Sequence, residues 1–167
     1  MVTKQDKRAS VRIERLPEDV FRYLIELNDV RWRSGVLDMR LTSGSYEGTG
    51  ATHVEVRKLL GRRIETRAEV VIYEPNRRWA VRRATGPIRP QAPYALEPED
   101  DGTRLAFEFG VPVLRGPVRL LEPLAPAITP LVEKAFVKDL KKLKEQLESP
   151  IFAKEESDDD QSHKERL

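Results

Sequence analysis

The sequence has no cysteine, and only two histidines and two methionines among its 167 residues. Without thiols there is no disulfide, no cysteine nucleophile and no thiolate metal ligand, and the composition fits a reducing, cytoplasmic setting. His53 and His163 are the two histidines and no HExxH pair exists, so neither a metal site nor a cofactor is expected. The glycines of GSYEGTG (Gly44, Gly48, Gly50) match neither GxGxxG nor a phosphate-binding loop and read as hairpin glycines. No apolar run approaches the roughly 18–20 residues needed to span a bilayer. The N-terminal MVTKQDKRASVRIERL has no apolar stretch of the signal-peptide kind. Nor does one sign of charge dominate: 30 Lys/Arg face 28 Asp/Glu. The two are interleaved, which argues against a nucleic-acid partner.

What is present is a pattern of alternation. Ala9–Arg15 alternates apolar and charged residues, the period of a half-buried strand. Leu16-Pro17-Glu18-Asp19 opens a helix whose apolar face carries Val20, Phe21, Leu24 and Leu27. A short helical turn at Val30–Arg33 and a strand at Val36–Leu41 follow. Long strands come next. In Ala51–Leu59, Thr52, Val54 and Val56 are read as inward and His53, Glu55 and Arg57 as outward. In Arg63–Tyr73, Ile64, Thr66, Ala68, Val70 and Ile72 are read as inward. Glu74-Pro75-Asn76-Arg77 is a turn. Trp79–Ala84, Ala92–Glu97 and Thr103–Val113 complete the strands, the last with Leu105, Phe107, Phe109 and Val111 inward and Pro112 near its end. Val132, Phe136, Leu140, Leu143 and Leu147 form a helical stripe, with Lys138, Lys141, Lys142 and Lys144 off it and solvated. Pro123, Pro126 and Pro130 are expected to delay or kink that helix. Residues 1–148 read as one domain. Residues 149–167, with three basic and six acidic residues, read as a disordered charged tail.

The stretches VRIERLPEDVFRYLIELNDVRWRSG, YEPNRRWAVRRATGP, YALEPEDDGTRLAFEF and LKKLKEQLE, in this order, resemble the SRPBCC (START-like) superfamily, and within it the polyketide cyclase/dehydrase-type proteins. The resemblance implies an α+β helix-grip fold: an antiparallel, curved, seven-stranded sheet wrapped around a long C-terminal helix, with two short helices after strand 1. It also implies a hydrophobic small-molecule ligand, lipid- or polyketide-like, held between sheet and helix. The alternatives are a polyketide cyclase or dehydratase enzyme and a protein-interaction module using the acidic tail.

On that reading the pocket is lined by Trp32, Met39, Val54, Val56, Ile64, Ala68, Trp79, Val81, Arg83, Tyr94, Leu96, Phe107, Phe109, Val132 and Phe136, around a void of about 300–1,000 Å³. If Trp79 and Val81 point inward, so does Arg83, while Arg82 faces water. A cation beside an apolar cavity needs either a structural acidic partner or a ligand anion. Tyr94 shares a face with Leu96 and is the better inward tyrosine. His53 is expected at the surface, with Asp29, Asp38 and Arg40 near the cavity mouth. No residue is singled out as a general base. An inward acid beside Arg83 or Tyr94 would favour an enzyme, and a fully packed interior would favour the interaction module.

Overall fold

The computed structural model describes residues 7–26, 29–45, 47–59, 61–83, 91–109, 123 and 125–150. The elements run β1 (Lys7–Ile13), α1 (Pro17–Ile25), α2 (Asp29–Trp32), β2 (Val36–Ser43), β3 (Thr52–Leu59), β4 (Arg62–Glu74), β5 (Arg78–Arg83), β6 (Gln91–Glu99), β7 (Gly102–Phe109) and α3 (Ala125–Leu147). The strands form one antiparallel sheet in the order β1-β7-β6-β5-β4-β3-β2. This is the helix-grip arrangement: a curved sheet whose inner face is closed by α3 and the two short helices.

Local chemistry explains the turns. Pro17 occupies the first position of α1, where no intrahelical N–H is required, and Glu18 and Asp19 meet the positive end of the helix. At Glu74–Arg77, Pro75 sets the second position and Asn76 takes φ 59°, with Arg77 N–H donating to the Glu74 carbonyl at 3.0 Å. The β3–β4 hairpin pairs Leu59 with Arg62, leaving two residues between them, and Gly61 supplies the required φ of 78°.

That hairpin reverses the facing predicted for β3. Glu55 pairs with Thr66 and His53 with Ala68, so His53 and Glu55 share the inner face with Thr66 and Ala68. Both are 2% exposed. Val54 and Val56 lie on the outer face, paired with the exposed Arg67 and Glu65 and with Arg40 and Asp38 of β2. They are nonetheless buried, flanked by Arg40, Glu65 and Arg67, whose carbon stems can shield them. A bulge between Val70 and Ile72 makes a second correction. Ile72 pairs with Ala80 away from the core, and Tyr73 pairs with Trp79 and packs against the core instead.

The core joins Ile13 of β1 and Val20 and Leu24 of α1 to Leu96, Leu105 and the α3 stripe Phe136, Leu140, Leu143 and Leu147. Helix α3 starts earlier than the prolines suggested. Pro126 sits in its first turn, where its missing N–H costs nothing, and Pro130 lies within the helix. The side chains of Phe109 and Val132, and the residues beyond 150 that carry the predicted tail, lie outside the described residues, as do Leu27, Val111 and Pro112.

The end of α3 is tied to the β1–α1 junction. Lys144, expected to be solvated, is only partly exposed: its Nζ donates to the Arg12 carbonyl at 2.9 Å and to Glu148 Oε1 at 2.6 Å. Glu148 also accepts the Glu14 backbone N–H at 2.7 Å, and Arg15 Nε donates to the Leu147 carbonyl at 2.9 Å. Burial acts to raise the Glu148 pKa, but Lys144 and the Glu14 N–H prevail and hold it below the ordinary value. Replacing Glu148 with alanine is expected to cost about 1.5–3 kcal/mol, the usual range for hydrogen bonds to a charged group, measured by urea unfolding.

Candidate functional site

Four rings cross the inner face in sequence. Trp79 of β5 stacks on Tyr94 of β6 at 5.7 Å between centroids, and Tyr94 meets Phe107 of β7 at 4.9 Å. Phe107 stacks on Phe136 of α3 at 4.1 Å. Such spacings are those of favourable aromatic pairs. The rings therefore make a continuous wall from sheet to helix. The Trp79 Nε1–H is buried in this wall and has no acceptor among the described residues. Trp32, at the end of α2, is fully buried in the same core, and its Nε1–H likewise lacks an acceptor there.

Beside the wall lies a charged cluster that the sequence reading did not assemble. Arg83 ends β5 on the inner face, in register with Ala68. Because Ala68 is only a methyl, the Arg83 side chain can cross β4 towards β3. There Arg83 Nη2 donates to both carboxylate oxygens of Glu55, at 3.0 Å each. Arg33, just after α2, approaches Glu55 Oε2 at 3.5 Å, and Arg57 Nε donates to Oε1. The side chains of Glu55, Arg33 and Arg83 are 2%, 9% and 10% exposed. Arg57, at 30%, is the member nearest solvent.

Three consecutive residues at the end of α2 thus point three ways. Trp32 enters the core, Arg33 reaches Glu55, and Ser34 Oγ donates to the buried Asp139 of α3 at 2.6 Å.

Burial alone would raise the Glu55 pKa, but Arg83, Arg33 and Arg57 outweigh it and lower it from 4.5 to about 2. A carboxylate depressed in the native state adds stability above its unfolded pKa, and that contribution is lost as pH falls through the native pKa. The stability difference between wild type and an E55Q variant is therefore expected to stay constant from neutral pH to about 5. It should then shrink towards zero between about pH 4.5 and 2, as read from chemical unfolding at each pH.

Arg82 faces water and pairs with Glu69 at 3.0 Å. The alternating facing of Trp79, Val81 and Arg83 against Arg82 is as the strand period predicts. Of the other pocket candidates, Ala68, Val81, Leu96 and Phe136 lie in the core with Trp32, Trp79, Tyr94 and Phe107. Met39 pairs with Glu55, and Ile64 pairs with Arg57, both partly exposed. Asp38 and Arg40 form an exposed ion pair at 3.3 Å, and Arg40 also meets Glu65 at 3.3 Å, on the outer face with Val54 and Val56. The Asp29 side chain lies outside the described residues. A groove of about 380 Å³ bounded by Thr42, Thr52, Arg67, Ala68 and Glu69 opens beside the outer residues of β2–β4.

The inward acid beside Arg83 is the geometric sign named above for an enzyme, yet its low pKa makes Glu55 a weak base and removes it as a proton donor near neutrality. Among the described residues no cluster of His, Asp or Glu could hold a metal ion, and no helix is long and apolar enough to cross a membrane.

No curated protein matches the chain. Among solved structures it is similar to TTHA0849 from Thermus thermophilus, with 22% identity and a TM-score of 0.67, covering 85% of this chain and 96% of that one. The di-domain ARO/CYC StfQ from the steffimycin biosynthetic pathway is also similar, at 11% identity and TM-score 0.66, covering 83% of this chain and 49% of StfQ. A START superfamily protein from Mycobacterium smegmatis has 12% identity and TM-score 0.59, covering 83% and 98% of the two chains. These likenesses establish the fold. The model of one family, described as polyketide cyclase / dehydrase and lipid transport, matches residues 4–148, nearly all of the described structure. A seven-stranded grip closed by one long helix, with its inner face lined by aromatic rings, is therefore that of a member of the polyketide cyclase / dehydrase and lipid transport family, to which this chain belongs.

Proposed function

We propose that the protein binds a hydrophobic small molecule, lipid- or polyketide-like, on the inner face of the sheet beneath α3. The observation that carries this reading is the wall Trp79–Tyr94–Phe107–Phe136 with a buried indole N–H that no described residue satisfies. Rings in mutual contact leave no room between them, so the ligand lies along the wall. An acceptor on the ligand would satisfy the indole N–H. Family membership supports the reading, since the family's description includes both cyclisation chemistry and lipid transport.

Binding without catalysis is preferred over the cyclase reading on one ground. Proton abstraction next to a carbonyl needs a base whose pKa is matched to the working pH, and the Glu55 carboxylate is held at about 2. Native mass spectrometry of the freshly purified chain tests the proposal. A co-purifying hydrophobic adduct, or saturable binding of a neutral fluorescent probe that weakens in W79A, is the expected result. A bare mass together with no probe binding would overturn it.

A further inference from the structure

Among the described residues, two guanidinium groups, those of Arg57 and Arg83, share the one carboxylate of Glu55, and Arg33 stands beside it at 3.5 Å. Elsewhere the ratio differs: Arg82 and Glu69 pair one to one, and Arg12 and Arg40 each meet two acids. Those pairs are exposed to water, whereas this cluster is largely buried, so its excess positive charge is poorly screened. Arg57 holds the excess at the accessible side. It spends Nε on Glu55, and its Nη2 is buried with no partner among the described residues. Desolvation, followed by the fields of Arg33 and Arg83, lowers its pKa against the attraction of Glu55. A buried cation in this position is stabilised by an anion, and the planar guanidinium fork suits one with paired oxygens.

The cluster also stands in line with the wall. Arg83 and Trp79 share the inner face of β5 four residues apart, a span of about 13 Å along the strand. One elongated molecule can therefore touch both ends.

We propose that Arg57, backed by Arg33 and Arg83, is the recognition point for an anionic head group, a carboxylate or phosphate oxygen pair, on a ligand whose apolar body lies along the aromatic wall. This rests on the binding reading above and adds the polarity and orientation of the ligand. Glu55 then acts as a positioning residue: it holds the three guanidinium groups together while the Arg57 Nη2 keeps no partner among the described residues.

Calorimetric titration of the full chain with decanoate, decyl phosphate and decanol tests the inference, because the three share an alkyl body and differ in head group. At least one of the two anions is expected to bind about tenfold or more tightly than decanol, since a hydrogen bond to a charged group in a desolvated site is worth about that much. Which anion gains more tells carboxylate from phosphate. In R57M the ratio of anion to alcohol affinity should fall to near one. In R57K, which keeps the charge without the fork, part of it should survive, and that variant serves if R57M does not fold. Decanol binding with no anion preference, or a preference that survives R57M, overturns this inference and leaves the apolar-ligand reading standing. Failure of all three to bind removes both.

Discussion

Glutamine in place of Glu55 is expected to lower the unfolding free energy by about 3 kcal/mol or more at neutral pH. Two estimates converge. A pKa moved from 4.5 to about 2 reflects that scale of preference for the ionised carboxylate in the folded protein. Removing the partner of a buried ion pair costs about 3–5 kcal/mol because it leaves uncompensated charge in a poor solvent. Here Arg57 and Arg83 would both lose the carboxylate they share, with the Arg33 guanidinium beside them. Urea unfolding of wild type and E55Q gives the difference. A loss under about 1 kcal/mol would mean that the arginines turn outward to water when Glu55 is absent, and that the cluster is no part of what holds the fold. Added acetate offers a second measurement. A small carboxylate that occupies the gap binds only the native state, so it should stabilise E55Q more than wild type.

The position of Glu55 was hidden by a single residue in a turn. A three-residue connection between strands ending at Leu59 and beginning at Arg63 places Val54 and Val56 opposite Ala68 and Thr66, all facing inward. That arrangement looks right because valines belong in cores. The observed two-residue connection pairs Leu59 with Arg62 and shifts the register by one, which sends every β3 side chain to the other face. The signal was present: Thr66 and Ala68 were read as inward, and a tight turn at Gly61 puts Glu55 and His53 beside them. What overrode it was the preference for burying valine on the inner face, whereas Val54 and Val56 are buried on the outer face, flanked by charged neighbours. The Val70–Ile72 bulge has no comparable signal, since Ile72 and Tyr73 are both plausible core residues. By contrast, the β5 facing was legible, because tryptophan and valine two apart leave one alternation open. So was the order of elements, which rests on the proline and acidic-turn boundaries and the α3 stripe and does not depend on any one register.

That β5 facing leads to a paired expectation for its two terminal arginines. R82M should change stability by no more than about 0.5 kcal/mol, since Arg82 is an exposed partner of a partly exposed Glu69. R83M should cost about 2–3 kcal/mol, because Arg83 bonds both oxygens of a carboxylate that is 2% exposed. The loss is held below that of a fully broken buried pair because Arg33 and Arg57 remain beside Glu55. The sign of the coupling between Arg83 and Glu55 is the sharper test. In wild type, Arg83 neutralises an acid and its removal destabilises. In an E55Q background it is one of three crowded cations, and its removal relieves repulsion and desolvation at once. R83M should therefore be neutral or stabilising when introduced into E55Q, with a coupling energy of about 2–3 kcal/mol in the double-mutant cycle. Additive losses would mean that Arg83 serves the fold through its carbon stem and that its charge is incidental. An R82M variant more damaged than R83M would reverse the assignment of the two faces of β5.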